Sequence, residues 1–141
     1  MTSLRFVATV PKGFADLLAG EITALGGQGV REAGGGVSFE GTLMVGYRAL
    51  LESRLASRVL LEVGRGPMTT ADDLYALARA IDWREHLDSK GTLACEFTGK
   101  HPAINNTHFG ALKLKDAICD QLRETTKLRP SIETTRPDLR V

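Results

Sequence analysis

Apolar and polar positions change period several times along the chain, and each change predicts an element. Residues 4–10, LRFVATV, are rich in β-branched and apolar types and stop at Pro11, the pattern of a strand closed by a turn. In KGFADLLAGEITALGG the apolar positions Phe14, Leu17, Leu18, Ile22 and Leu25 fall at helical spacing, and Gly26-Gly27 offers the exit a helix end favours. Residues 28–33 and 36–41 read as two short strands joined by a glycine turn at 34–36. Thr42 stands where a cap is wanted for a second helix, along which Leu43, Tyr47, Leu50, Leu51 and Leu55 form an apolar stripe, and RVLLEVGRG at 58–66 closes with a strand. Strand, helix, strand, strand, helix, strand is the split βαββαβ, ferredoxin-like order.

Gly64, Gly66 and Pro67 mark a seam, dividing the chain into expected domains 1–66 and 67–141. Beyond it, Thr70 or Asp72 starts a helix through DDLYALARAIDW, and TLACEFTG at 92–99 alternates as a half-buried strand does. A helix is expected over about 107–125, with Ala111, Leu114, Ala117, Ile118 and Leu122 on its buried face and Gly110 permitting close packing at its first turn. The last residues, SIETTRPDLRV, read as a strand, a turn at Arg136-Pro137, and the opening of a strand with little left to pair with. The fold expected is therefore α+β, a ferredoxin-like domain followed by an α/β domain truncated at its C-terminal end.

Composition narrows the chemistry. The 141 residues are 43% hydrophobic and 25% charged, with net charge +1, which is ordinary for a globular protein. No secretory leader and no run of about 18 apolar residues is present, so a cytoplasmic location without membrane contact is expected. Cys95 and Cys119 lack ligand spacing to any other Cys or His and read as small buried thiols. The glycine runs GGGVSFEG and GGQG lack the order of a nucleotide loop and read as turns, and no Gly-x-Ser-x-Gly elbow occurs. No catalytic residue, metal or cofactor site is expected within the chain. An acylphosphatase-like hydrolase would need an arginine-bearing anion loop, which neither Arg5 nor Arg31 has.

Charge placement is more telling than net charge. Residues 1–97 hold 10 Lys/Arg against 12 Asp/Glu, whereas residues 98–141 hold 8 against 5. On the helix at 107–125, Lys113 has Asp116 at i+3, Arg123 has Asp120 and Lys127 has Glu124 three residues behind, so three cations have local partners. Lys115 has no acid at i±3 or i±4 and reads as an uncompensated charge. Upstream, Asn105, Asn106 or Thr107 can cap the helix, whose first free N–H groups suit an anion, with Lys100 and His101 just before them. Phe109 reads equally as a stacking platform or as core. Arg129 and Arg136 extend the charge along the tail. The same features also fit a plain capped surface helix, and the Leu/Ala-rich helix with the unfinished sheet edge fits a noncatalytic protein-interaction module docking a separate catalytic domain.

The runs GGVSFEGTLMVGYRALLESRLASRVLLEVG, LYALARAIDW, FTGKHPAINNTHFGALKLKDAICDQL and RPDLRV together resemble the N-terminal region of bacterial 23S rRNA guanine-N2-methyltransferases, a ferredoxin-like domain plus a THUMP domain. The resemblance implies an RNA-holding module for structured RNA, 23S rRNA above all. Lys100, Asn105, Asn106, Lys113 and Lys115 stand at matching positions, while Lys127, Arg129 and Arg136 are candidates from charge alone. It also implies a C-terminal methyltransferase domain as partner, using S-adenosylmethionine, that lies outside these residues. The 141 residues by themselves are then not expected to be an enzyme.

Overall fold

The computed structural model describes residues 2–88 and 90–141. The chain divides into two compact units, with the division between Val63 and Gly64.

In the first unit β1 (Leu4–Thr9), β2 (Gln28–Ala33), β3 (Gly36–Gly41) and β4 (Arg58–Leu61) form one antiparallel sheet in the order β2-β3-β1-β4. The β2–β3 turn uses Gly34 and Gly35 at φ +42° and +88°, a backbone region that suits glycine. Register places Phe6 opposite Phe39 and Ala8 opposite Val37. All four are buried, so these alternate residues make the covered face of the sheet, on which α1 (Ala15–Ala24) and α2 (Leu43–Glu52) lie. The phenyl rings of Phe6 and Phe39 stack at 5.2 Å between centroids. This is the expected ferredoxin-like order.

Three local expectations change. Phe14 and Leu17 of the first helical stripe stay exposed, and only Leu18, Ile22 and Leu25 enter the core. Thr42 occupies the N-cap position of α2 but its hydroxyl makes no capping bond; its carbonyl accepts the Val45 and Gly46 N–H groups instead. Most consequential, α2 is rotated relative to its apolar stripe. Leu43, Tyr47, Leu50 and Leu51 point to solvent, only Leu55 packs against the core, and the helix seats itself through Gly46 and Ala49. A Cβ on Gly46 would lie 2.6 Å from the Phe6 ring. The aromatic stack needs that room, and a helix face of small residues supplies it.

In the second unit α3 (Ala71–Arg79) runs into a 3-10 turn (Trp83–Glu85), then β5 (Thr92–Ala94), α4 (Thr107–Thr126), β6 (Ser131–Ile132) and β7 (Leu139–Arg140). The three strands are parallel in the order β6-β5-β7. The final segment does find a partner, contrary to expectation: Leu139 and Arg140 pair with Leu93 and Ala94, and the Val141 carbonyl accepts the Glu96 N–H at 2.8 Å. Trp83 centres the core with Leu93, Ala117, Ile118 and Leu122, and its indole N–H donates to the Ala78 carbonyl at 2.7 Å. Gly110, Ala117, Ile118, Cys119 and Leu122 are the buried side of α4. Ala111 and Leu114, expected among them, are only partly buried. No helix among the described residues is long and apolar enough to cross a membrane.

Gly46→Ala drives a methyl group into a ring that the core holds in place, so a loss of about 1–3 kcal/mol is expected. Circular dichroism in urea should show an earlier midpoint for this variant, and an unchanged midpoint would show that α2 does not depend on close approach to Phe6.

Candidate nucleic-acid interface

The N-terminal tip of α4 is built from both sides of its cap. Asn106 takes the N-cap position, with its side-chain oxygen accepting the Phe109 N–H at 2.7 Å, and its carbonyl accepting the Gly110 N–H at 3.3 Å. The Thr107 and His108 N–H groups keep no protein partner among the described residues. They are the positive end of a helix dipole, open to water. Gly110 brings the tip down on the Phe97 ring, where a Cβ would meet carbon at 2.5 Å. The loop before the cap is pinned by buried Ile104, whose N–H donates to the His101 carbonyl at 3.1 Å. The Ala103 N–H donates to His101 Nδ1 at 3.0 Å, which puts the proton of the neutral ring on Nε2.

These residues leave an open hollow of about 630 Å³, whose lining includes Lys100, His101, Asn105, Asn106 and Thr107. Residues 105–109 are exposed along the rim, with Phe109 40% accessible. Lys100 is exposed and has no acid partner among the described residues. Amide donors, free N–H groups and one unneutralised cation converge there, the donor types that hold phosphate oxygens.

The other expected cations are not at this tip, or are not free. Lys113 does not pair with Asp116. Its Nζ lies 3.1 Å from Asp72 on α3, and 6.0 and 5.9 Å from the ring centroids of Tyr75 and Phe109. Lys115 is not uncompensated: its ammonium lies 3.4 Å from Asp116, the adjacent residue, and the side chain is 23% exposed. Neighbouring residues on a helix do not normally face each other, so spacing gave no warning of this pair. Arg123 and Asp120 approach at 3.8 Å as expected, but Glu124 meets Arg79 rather than Lys127. Lys127 is the left-handed C-cap of α4, at φ 64°. It and Arg129 lie about 30 Å from the tip along a 20-residue helix. Burial pushes the Cys119 thiol pKa up, and the nearby Arg129 charge opposes that push. Arg136 is exposed in a turn held by Glu133, whose carboxylate accepts the Thr135 and Arg136 N–H groups. Burial raises both free thiols, Cys95 to about 12.

The sequence pattern does not show the scaffold that ties the middle of α4 to α3. The Tyr75 hydroxyl donates to Asp120 at 2.5 Å and accepts from Arg79 at 2.9 Å, tying α3 to α4. The bond to Asp120, then burial, raises the Tyr75 pKa. At the start of α3 the Asp73 carboxylate accepts the Thr70 and Thr69 N–H groups at 3.0 and 2.7 Å, which holds it below its ordinary value of 3.8. The isolated apolar Ile104 inside a polar run was the one visible sign of a pinned loop.

Residues 68–141 match the THUMP domain family model, and residues 5–60 match that of the RlmL ferredoxin-like domain. The chain belongs to the THUMP-domain family. A relative from Stutzerimonas stutzeri, ribosomal RNA large subunit methyltransferase K/L, is 53% identical over 137 residues, covering 97% of this chain and 19% of the relative. The Aeromonas salmonicida protein of the same name is 47% identical over the same shares. The chain thus spans about a fifth of the length of the curated relatives it matches. Among solved structures, a predicted N6-adenine-specific DNA methylase from Listeria monocytogenes superposes with TM-score 0.81 at 26% identity, over 94% of this chain and 38% of that one. TrmN from Thermus thermophilus does so with TM-score 0.67 at 25% identity, over 99% and 41%. The ferredoxin-like plus THUMP arrangement expected from the sequence is therefore shown.

The Asp73 cap carries a pH signature. A carboxyl whose folded pKa is lowered adds stability above its ordinary value and loses it as pH falls through the lowered one. Asp73→Asn should therefore lower the thermal midpoint at neutral pH, with the gap to the parent chain closing in acid below 3.8. Trp83 fluorescence reads the transition, and a gap that persists in acid would assign the effect to something other than the carboxylate.

Proposed function

We propose that this chain is the RNA-holding, substrate-positioning module of a cytoplasmic, S-adenosylmethionine-dependent methyltransferase that acts on a guanine N2 in 23S rRNA. Catalysis belongs to a domain outside these 141 residues, and that domain, not this chain, carries the cofactor. The observation that carries the reading is the tip of α4 inside a THUMP domain, where exposed Lys100 stands beside N–H groups that no protein acceptor uses. The relatives supply the substrate class, since the matched proteins are large-subunit rRNA methyltransferases.

The contacts are of backbone character. Cations and amide donors hold phosphates without reading base edges, and the four-stranded sheet of the first unit offers no substitute. Its uncovered face bears Arg5, Val7, Ser38, Glu40 and Leu60, without the aromatic residues on which single-stranded bases stack. Folded RNA recognised by shape is the substrate that fits. Within the proposed site Asn105, Asn106 and Lys100 act at the tip. Lys113 and Lys115, already held by acids, contribute less, and Lys127, Arg129 and Arg136 form at most a separate charged surface.

The test is the salt dependence of binding to a 23S rRNA fragment. Lys100→Glu is expected to weaken binding about 5- to 10-fold near 0.1 M salt and to flatten the logarithmic salt slope by about 1. Lys113→Gln should cost less than twofold on the same scale. Equal losses from the two variants, or none from Lys100→Glu with circular dichroism unchanged, would contradict the assignment of the tip.

A further inference from the structure

The outward face of α2 has no role in the RNA reading. Leu43, Met44, Tyr47, Leu50 and Leu51 fall at i, i+1, i+4, i+7 and i+8, an apolar stripe along one side of the helix. It is turned outward: Met44 is 64% exposed, Leu50 59% and Leu51 85%. Beside α2 lies β4, whose exposed Leu61 pairs with Phe6 and so faces the side of the sheet on which the helix packs. Scattered surface leucines are ordinary, whereas a full stripe of large apolar groups on a ten-residue helix marks a contact surface.

We infer that this face of α2 is the seat of an apolar surface on the polypeptide that makes up the other four-fifths of proteins like the K/L relatives. The inference rests on the reading of the chain as one module of such a protein. Two features choose this occupant. The face is uncharged, because the charges on α2, Arg48 and Glu52, neutralise each other at 2.7 Å, and the Arg48 guanidinium also donates inward to the Leu25 carbonyl. Phosphate has nothing to meet there, and an interfacial membrane helix would want free cations flanking its apolar side. The face is also small. A helix of ten residues is about 15 Å long and about 10 Å across, so one side of it presents on the order of 150 Å², well short of the roughly 800 Å² per partner that a stable pair of free proteins buries. A second copy of this chain would not be held. A domain on the same polypeptide is held, because tethering supplies an effective concentration near millimolar.

The experiment compares hydrogen exchange of residues 43–52 in the 141-residue chain and in the full product of the gene that encodes it. Docking predicts exchange slowed about tenfold or more in the longer protein. Leu51→Glu there should return the rate to that of the short chain, while leaving rRNA binding by the short chain unchanged. Equal exchange in the two proteins would overturn the inference and leave the RNA module reading standing. A gene that stops at Val141 would overturn both. Sedimentation showing that the short chain dimerises and that Leu51→Glu splits the dimer would make the occupant a second copy. Loss of rRNA binding by Leu51→Glu with circular dichroism intact would make the face an RNA contact, and either result would refute the docking assignment.

Discussion

The seating of α4 on its sheet is the constraint from which the rest of the second unit follows. A 20-residue helix can lie close to Phe97 and Trp83 only along a strip where small and medium residues meet them, and Gly110, Ala117, Ile118, Cys119 and Leu122 form that strip. Rotation about the helix axis is thereby fixed. So is the depth of its first turn, since any side chain at position 110 would strike the Phe97 ring. The Asn106 cap and the Ile104 plug then stop the preceding loop from folding over the tip, and the first N–H groups are left facing water. A capped surface helix and an anion seat have the same ingredients. What distinguishes this tip is its setting in a THUMP domain, with an unneutralised Lys100 on the hollow beside it.

Charge along α4 follows a related logic. Eight of the chain's Lys/Arg residues lie in its last 44 residues, but much of that charge is already met within the protein. Asp72 and Glu96 take Lys113 and Arg140 across elements, and Asp116 and Asp120 take Lys115 and Arg123 on the same helix. Exposed pairs of this kind add little stability, typically under about 1 kcal/mol. Their larger effect is on where positive potential remains. Among the described residues it remains at Lys100, at Arg136, and separately at the far end of the helix near Lys127 and Arg129, so a basic count over the whole region overstates the surface available to phosphate.

The ferredoxin-like order was legible because strand lengths, the paired glycines at 34 and 35, and the proline at 11 are local signals, and the hairpin was placed to the residue. The cap of α4 was legible for the same reason. The face of α2 was not. Period alone shows that a helix has an apolar side, and it cannot show which side the sheet has room for. Here the stacked Phe6 and Phe39 rings admit Gly46 and Ala49, and the large residues are left outside. Lys113 and Lys115 failed in the opposite way. One meets an acid 41 positions away on α3 and the other meets its immediate neighbour, so neither pairing is visible at helical spacing. Long-range partners and side-chain bending decide such cases.

In the proposed function the first turn of α4 and Lys100 hold RNA phosphates. Backbone amide resonances followed during titration with a 23S rRNA fragment test it most directly. Lys100, Asn105, Thr107 and His108 are expected to shift first and furthest, with the shifts fading as salt is raised. Shifts confined to the sheet of the first unit or to the Lys127 end of the helix, with the 100–108 amides unmoved, would contradict it.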